Sequence, residues 1–187
     1  MVFRIVFLIF LSFTPIFSSG TAIEQDQTNG WTALHHAIFE RDLNKVKELI
    51  QQDPNYVKTH SFAGIYPIHM AVKVRELPII EHLLKNGADI DSQDGKGQTP
   101  LHYAISMKRL EFVKFLALKG ADLDLPNDFG VTPVHQASFS GNFDIVKFLV
   151  TVGVDTKAKT ESGATPLDFA IHKNHSDIAN YLMFHNH

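Results

Sequence analysis

Asp89, Asp91 and Asp94 stand with Gly95 and Gly97 in the stretch "DIDSQDGKG". Alternating carboxylates beside a tight glycine turn are what a hard cation such as calcium needs from a flexible loop. An EF-hand loop aligned here would also require glycine at residue 94 and glutamate at residue 100, where the chain has Asp94 and Pro100. The chain carries eleven histidines, the side chain suited to general-base work and to transition-metal ligation near neutral pH. Four of them, His35, His69, His102 and His135, are spread evenly through the sequence and so cannot converge on one ion. The others include His172, His175, His185 and His187 at the C-terminal end. Zinc requires three or four ligands in tetrahedral array with a supporting shell, which a chain terminus supplies badly. Weak metal binding by this C-terminal group is therefore an alternative reading. Cysteine is absent, which removes disulfides, thiol nucleophiles and thiolate-ligated metals. Neither a G-x-S-x-G elbow nor a GxxxxGK[ST] phosphate loop occurs, and the glycines are distributed instead of clustered. We expect no catalytic residue, no cofactor and no metal ligand, and so no enzyme.

Composition narrows the partners. The 187 residues carry a formal charge of −3, so no basic field draws the chain to nucleic acid or to an anionic membrane surface. The first residues, "MVFRIVFLIFLSFTPIFSSGTA", combine Arg4, an apolar run from Ile5 to Phe13, and then Pro15 with small residues. That is the layout of a secretory signal peptide. Ser12, Thr14 and Pro15 break the run before the roughly 20 apolar residues of a membrane span. The sequence predicts a signal peptide over 1–22, cleaved after Gly20 or Ala22. The mature chain, 23–187, is then exported, to a bacterial periplasm or as a secreted protein, with no membrane contact after cleavage.

The glycines and four of the histidines are explained by an internal repeat. "GWTALHHA" from Gly30, "GIYPIHMA" from Gly64, "GQTPLHYA" from Gly97, "GVTPVHQA" from Gly130 and "GATPLDFA" from Gly163 align without gaps. Pro67, Pro100, Pro133 and Pro166 suit the first turn of a helix, where a missing N–H costs nothing. Thr32, Thr99, Thr132 and Thr165 precede them as N-caps. Ala37, Ala71, Ala104, Ala137 and Ala170 keep that helix thin enough for its neighbours to approach. A second helix follows in each unit, as in "NFDIVKFLVTVG" from Asn142, with apolar residues at helical spacing. Gly87, Gly120 and Gly153 end three of these second helices in the left-handed conformation.

The pattern resembles the ankyrin repeat family, whose hallmark is Thr-Pro-Leu-His-x-Ala on a period of 33. The resemblance runs from Asn29 to the C-terminus. It implies an all-α solenoid of stacked helix-turn-helix units joined by β-hairpin fingers, with five repeats over about 29–58, 63–91, 96–124, 129–157 and 162–187. It implies too that the motif histidines hydrogen-bond backbone and the motif threonines between repeats. The ends read as caps: Asp168 replaces the motif histidine, and Ser176 replaces the apolar residue found at Leu43, Leu77, Leu110 and Phe143. The acids of "DIDSQDGKG" return as "DLDLPNDFG" and degrade to "DTKAKTESG", so they are expected to serve the finger turn.

Family members bind partners on the concave side, through finger tips and the exposed edge of the first helices. The resemblance assigns those positions here to Trp31, Phe39, Phe62, Ile65, Met107, Phe129, Val131 and Phe139. Their apolar and aromatic character marks an interaction surface. The expected function is a monomeric, non-catalytic protein-binding module outside the cytoplasm. A self-associating structural protein is the other alternative.

Overall fold

The computed structural model describes residues 29–185, and the expected signal peptide and His187 lie outside them. The described residues form ten α-helices in five pairs: α1 (Ala33–Phe39) with α2 (Leu43–Gln52), α3 (Pro67–Val74) with α4 (Leu77–Lys85), α5 (Pro100–Ser106) with α6 (Leu110–Leu118), α7 (Pro133–Ser140) with α8 (Phe143–Thr151), and α9 (Pro166–His172) with α10 (Ser176–Phe184). The first helices pack in a row, α1 on α3 on α5 on α7 on α9, and each second helix packs behind its partner. This is an all-α repeat solenoid.

The helices begin where the sequence places them. Proline occupies the first position of α3, α5, α7 and α9. Thr32, Thr99 and Thr165 accept hydrogen bonds from the backbone N–H three residues on. The Thr132 hydroxyl lies 2.8 Å from the His135 ring, as those of Thr32 and Thr99 lie 2.8 and 2.9 Å from theirs. The five motif alanines are all buried, which lets the helix row close. Leu34, Ile68, Leu101 and Val134 fill the space between helices at a repeated position and are fully buried. No single pair buries this face alone, so the neighbours supply the core.

Three features add to or correct the sequence reading. The extra residue between the first two motifs is taken up by a 3-10 helix, Pro54–Lys58, whose Asp53 cap receives the Asn55 N–H. The fingers are narrow loops and not laddered hairpins. Each closes on itself with two backbone bonds, such as Asp94 N–H to the Gln98 carbonyl and Gly97 N–H to the Asp94 carbonyl, and neighbouring fingers are joined by another, such as Asp128 N–H to the Lys96 carbonyl. Finally, the turn from first to second helix holds a left-handed residue in every unit: Arg41, Arg75, Lys108, Gly141 and Asn174. Only one is glycine, so four side chains accept a conformation that L residues avoid. At Gly141 φ is +69°, and an added Cβ would have to displace the tip of the His175 ring.

Gly87, Gly120 and Gly153 do end α4, α6 and α8 with positive φ. At Gly97 the glycine is required twice over. Its φ is +70°, and an added Cβ would lie 2.5 Å from the Asp128 backbone nitrogen. The residues that looked like a calcium loop are the joint between two fingers: Asp94 Oδ1 accepts the N–H groups of Lys96 and Gln98, and its Oδ2 accepts the Tyr103 hydroxyl. Asp91 Oδ1 accepts the Asp122 N–H, and Asp124 Oδ1 accepts the Asp155 N–H. These carboxylates are engaged by backbone N–H groups and, at Asp94, also by the Tyr103 hydroxyl.

Candidate functional site

The four motif histidines build the frame that presents the surface. In each, Nδ1 accepts the backbone N–H of the residue preceding the helix, at 3.2 to 3.3 Å. Nε2 therefore carries the ring proton and donates it to a backbone carbonyl of the next finger. The acceptors are Ile65, Gln98, Val131 and Ala164, at 2.9, 2.9, 3.1 and 3.1 Å. The threonine contact thus lies within one repeat and only the carbonyl contact crosses between repeats, a correction to the expected pattern. Burial holds the His35 imidazole down to about 4, and burial also lowers His69, His102 and His135. These rings are neutral structural pins.

The residues expected to meet a partner fall into two kinds. Phe39, Phe62, Phe129 and Phe139 are 58, 70, 60 and 46% exposed, well beyond what a core phenylalanine keeps. Trp31, Ile65, Met107 and Val131 are half-buried. Of these, Trp31 and Met107 pack against the core cluster, while Ile65 and Val131 are the residues whose carbonyls the histidines hold.

The eight do not form one unbroken strip. At one end, Trp31 lies 5.5 Å from Phe39 between ring centroids and meets His36 edge-on at 5.3 Å. Phe62 closes over Gly30, whose Cβ would meet its ring at 2.7 Å. At the other end, Phe139 lies 6.1 Å from Phe169, with the rings at 64°. The repeats between place exposed Lys73 and Ser106 at the positions of Phe39 and Phe139. The surface is two aromatic anchors with a polar middle.

Sequence reasoning missed the fullest part of the second anchor. A groove of about 400 Å³ is lined by Phe139, Ala164, Asp168, Phe169 and His172. Phe169 also meets the His135 ring edge-on at 5.3 Å. The signal was available: Phe169 aligns with Tyr103 and Gln136, a position that turns back onto the preceding repeat, where Gln136 Nε2 bonds the His102 carbonyl and Ser106 Oγ. At Asp168 the carboxylate replaces the histidine ring. Its Oδ2 accepts the Thr165 N–H at 2.8 Å and the Thr165 hydroxyl at 2.7 Å, and these bonds lower its pKa.

The C-terminal histidines are occupied separately. His172 lines the groove, His175 Nε2 contacts the Phe139 carbonyl at 3.3 Å, and His185 stacks on Tyr181 at 4.1 Å. Among the described residues no three His, Asp or Glu side chains are grouped so as to hold a metal ion. No helix among them is long and apolar enough to cross a membrane.

Comparison with known proteins agrees with this architecture. A family model described as ankyrin repeats (3 copies) matches residues 12–94, 42–127 and 110–187. Delta-latroinsectotoxin-Lt1a of Latrodectus tredecimguttatus is 34% identical over 73 residues, 39% of this chain and 6% of that protein. NF-kappa-B inhibitor alpha of Gallus gallus is 34% identical over 79 residues, 41% of this chain and 25% of that protein. A putative ankyrin repeat protein of Fowlpox virus is 34% identical over 64 residues, 34% of each chain. The matched part of the chain therefore spans 6 to 34% of these relatives. With the repeated His-to-carbonyl joints, the helix pairs and the family match in agreement, the chain belongs to the ankyrin repeat family, whose members generally act as non-catalytic protein-interaction modules.

Proposed function

We propose that this chain is an exported array of five ankyrin repeats that captures a partner protein through the two aromatic anchors on its fingers and first helices. The observation that carries the reading is the exposure of Phe39, Phe62, Phe129 and Phe139. A purely solvated array has no use for four wet phenylalanines, whereas apolar residues gathered at anchors are what interfaces are built from. The mechanism is preorganisation. Histidine pins hold the fingers rigidly before the partner arrives, so less conformational freedom is lost on binding.

Phe62 and Phe129 give the sharpest test, because they are the most exposed of the eight. The double variant Phe62→Asp, Phe129→Asp should abolish retention of the partner in pull-downs from the native compartment. Its thermal unfolding should stay within about 2 °C of the parent, since exposed sites carry little stability. A large drop in the melting temperature would make these rings core and overturn the reading. Light scattering on the same variant distinguishes capture of a different protein from self-association, which would appear as loss of a dimer mass.

Export rests on the apolar run after Arg4. Intact-mass measurement of the protein recovered outside the cytoplasm should show a chain beginning at Thr21 or Ile23. Recovery of only the full-length chain, inside the cell, would contradict it.

A further inference from the structure

The groove at the second anchor is apolar along its walls and carries one fixed negative charge. Phe139 and Phe169 supply two ring surfaces set at 64°, Ala164 the floor of the finger side, and Asp168 a carboxylate. Both hydrogen bonds that Thr165 gives to Asp168 fall on Oδ2, so Oδ1 is the acceptor left for an incoming group. In the other four repeats the same position is a histidine that donates from Nε2 to a finger carbonyl. Here the polarity is reversed, and whatever seats on Asp168 must be a donor. A second observation points to the same chemistry. The ammonium of Lys173 stands 4.2 Å from the centroid of the Phe139 ring, so this ring already attracts a cation from its own chain. Aromatic faces beside a carboxylate are the recipe for a cationic side chain, and for a planar guanidinium above an ammonium.

We propose that this groove is a specificity pocket for an arginine side chain of the partner protein. The aliphatic stem lies along Phe139 and Phe169, the guanidinium stacks on a ring, and its N–H fork donates to Asp168 Oδ1. Lys173 is the internal competitor: a second positive charge beside Phe139 opposes the incoming one. The pocket thereby selects, among the segments that reach the aromatic anchors, those that present arginine at this end. The proposal rests on the reading of the chain as a protein-binding module, and it is tested with small probes that need no partner.

The experiment is a titration of the full chain with N-acetyl-arginine methylamide, followed by the NMR resonances of the Phe139 and Phe169 rings and the Ala164 methyl. N-acetyl-citrulline methylamide serves as the neutral isostere and N-acetyl-norleucine methylamide as the apolar control. Arginine should bind about threefold more tightly than citrulline, the size of effect expected of an ion pair to an exposed carboxylate. Asp168→Asn keeps an acceptor for Thr165 and so the helix cap, and should erase the arginine preference without moving the melting temperature. Lys173→Gln should tighten arginine binding about twofold, since an exposed competing charge is worth little more than that. Equal or tighter binding of citrulline or norleucine, retention of the preference in Asp168→Asn, weaker arginine binding in Lys173→Gln, or no shift with any probe would each overturn the assignment. None of these outcomes touches Phe62 or Phe129, so the pocket and the anchor surface fail independently.

Discussion

Replacing His102 with leucine should lower the unfolding free energy by about 3 kcal/mol, because it leaves buried polar groups with no partner. His102 is fully buried in the middle of the helix row. Its Nδ1 receives the Thr99 N–H and lies 2.9 Å from the Thr99 hydroxyl, and its Nε2 meets the Val131 carbonyl at 3.1 Å. Leucine occupies a similar volume, so the loss is not one of packing. It removes the acceptor for the helix-capping residue and the donor for the next finger at one stroke. The matching change at Asp168, which is exposed and has no following finger to hold among the described residues, should cost far less. Urea unfolding of the two variants side by side measures the difference. A His102→Leu loss no larger than that of Asp168→Leu would mean that the histidine pin does not hold the joint.

The second large effect is acid lability, and its sign follows from the tautomer. Each motif histidine accepts a backbone N–H at Nδ1. Protonation would put an N–H there, facing another N–H, inside a buried site. Burial depresses the folded-state values, with His35 at about 4 against 6.5 in the unfolded chain. Below 6.5 the unfolded state binds more protons than the folded state, so stability falls as pH falls. The contribution is fully present above pH 6.5 and is lost progressively down to about pH 4, where His35 itself titrates. For His35 alone that window amounts to roughly 3 kcal/mol. His69, His102 and His135 act in the same direction. Asp91 opposes them, since burial raises its carboxyl and favours the protonated form. One acid does not offset four histidines. Melting temperatures taken at pH 7.5, 6, 5 and 4.5 should descend steeply, and His35→Gln should flatten the curve. A profile level from pH 7 to 5 would contradict the neutral assignment.

The positions of the helices were legible because proline, threonine and alanine each have a local reason to be where they are. Pro100 fits only an early helix turn, Thr99 caps it, and Ala104 admits the neighbouring helix. The departures have equally local causes. An extra residue after α2 had to be stored somewhere, and Asp53 with Pro54 favoured a single 3-10 turn. Arg41, Arg75 and Lys108 stand in left-handed turns that glycine takes most easily, because packing of the two helices over-determines the turn and their own preference loses. At the surface, the sequence could name aromatic positions but not which would stay wet. Phe39 and Phe129 are exposed while Met107 is half-buried against the core cluster, and that difference depends on packing partners distant in sequence, invisible to a single-residue reading. The groove escaped notice because Phe169 belongs to a position that is variable within the chain: His36, Met70, Tyr103, Gln136 and Phe169.

The joint between repeats passes through a backbone carbonyl, and this has a consequence for how the protein changes over generations. Ile65, Gln98, Val131 and Ala164 differ in the size or polarity of the side chain, yet each offers the same oxygen to the preceding histidine at nearly the same distance. A mutation at any of the four changes the side chain while leaving the carbonyl that the histidine holds in place. On the proposed partner-binding reading, the side chain that a partner meets and the oxygen that holds the fold are different atoms of the same residue, so change in the first leaves the second in place.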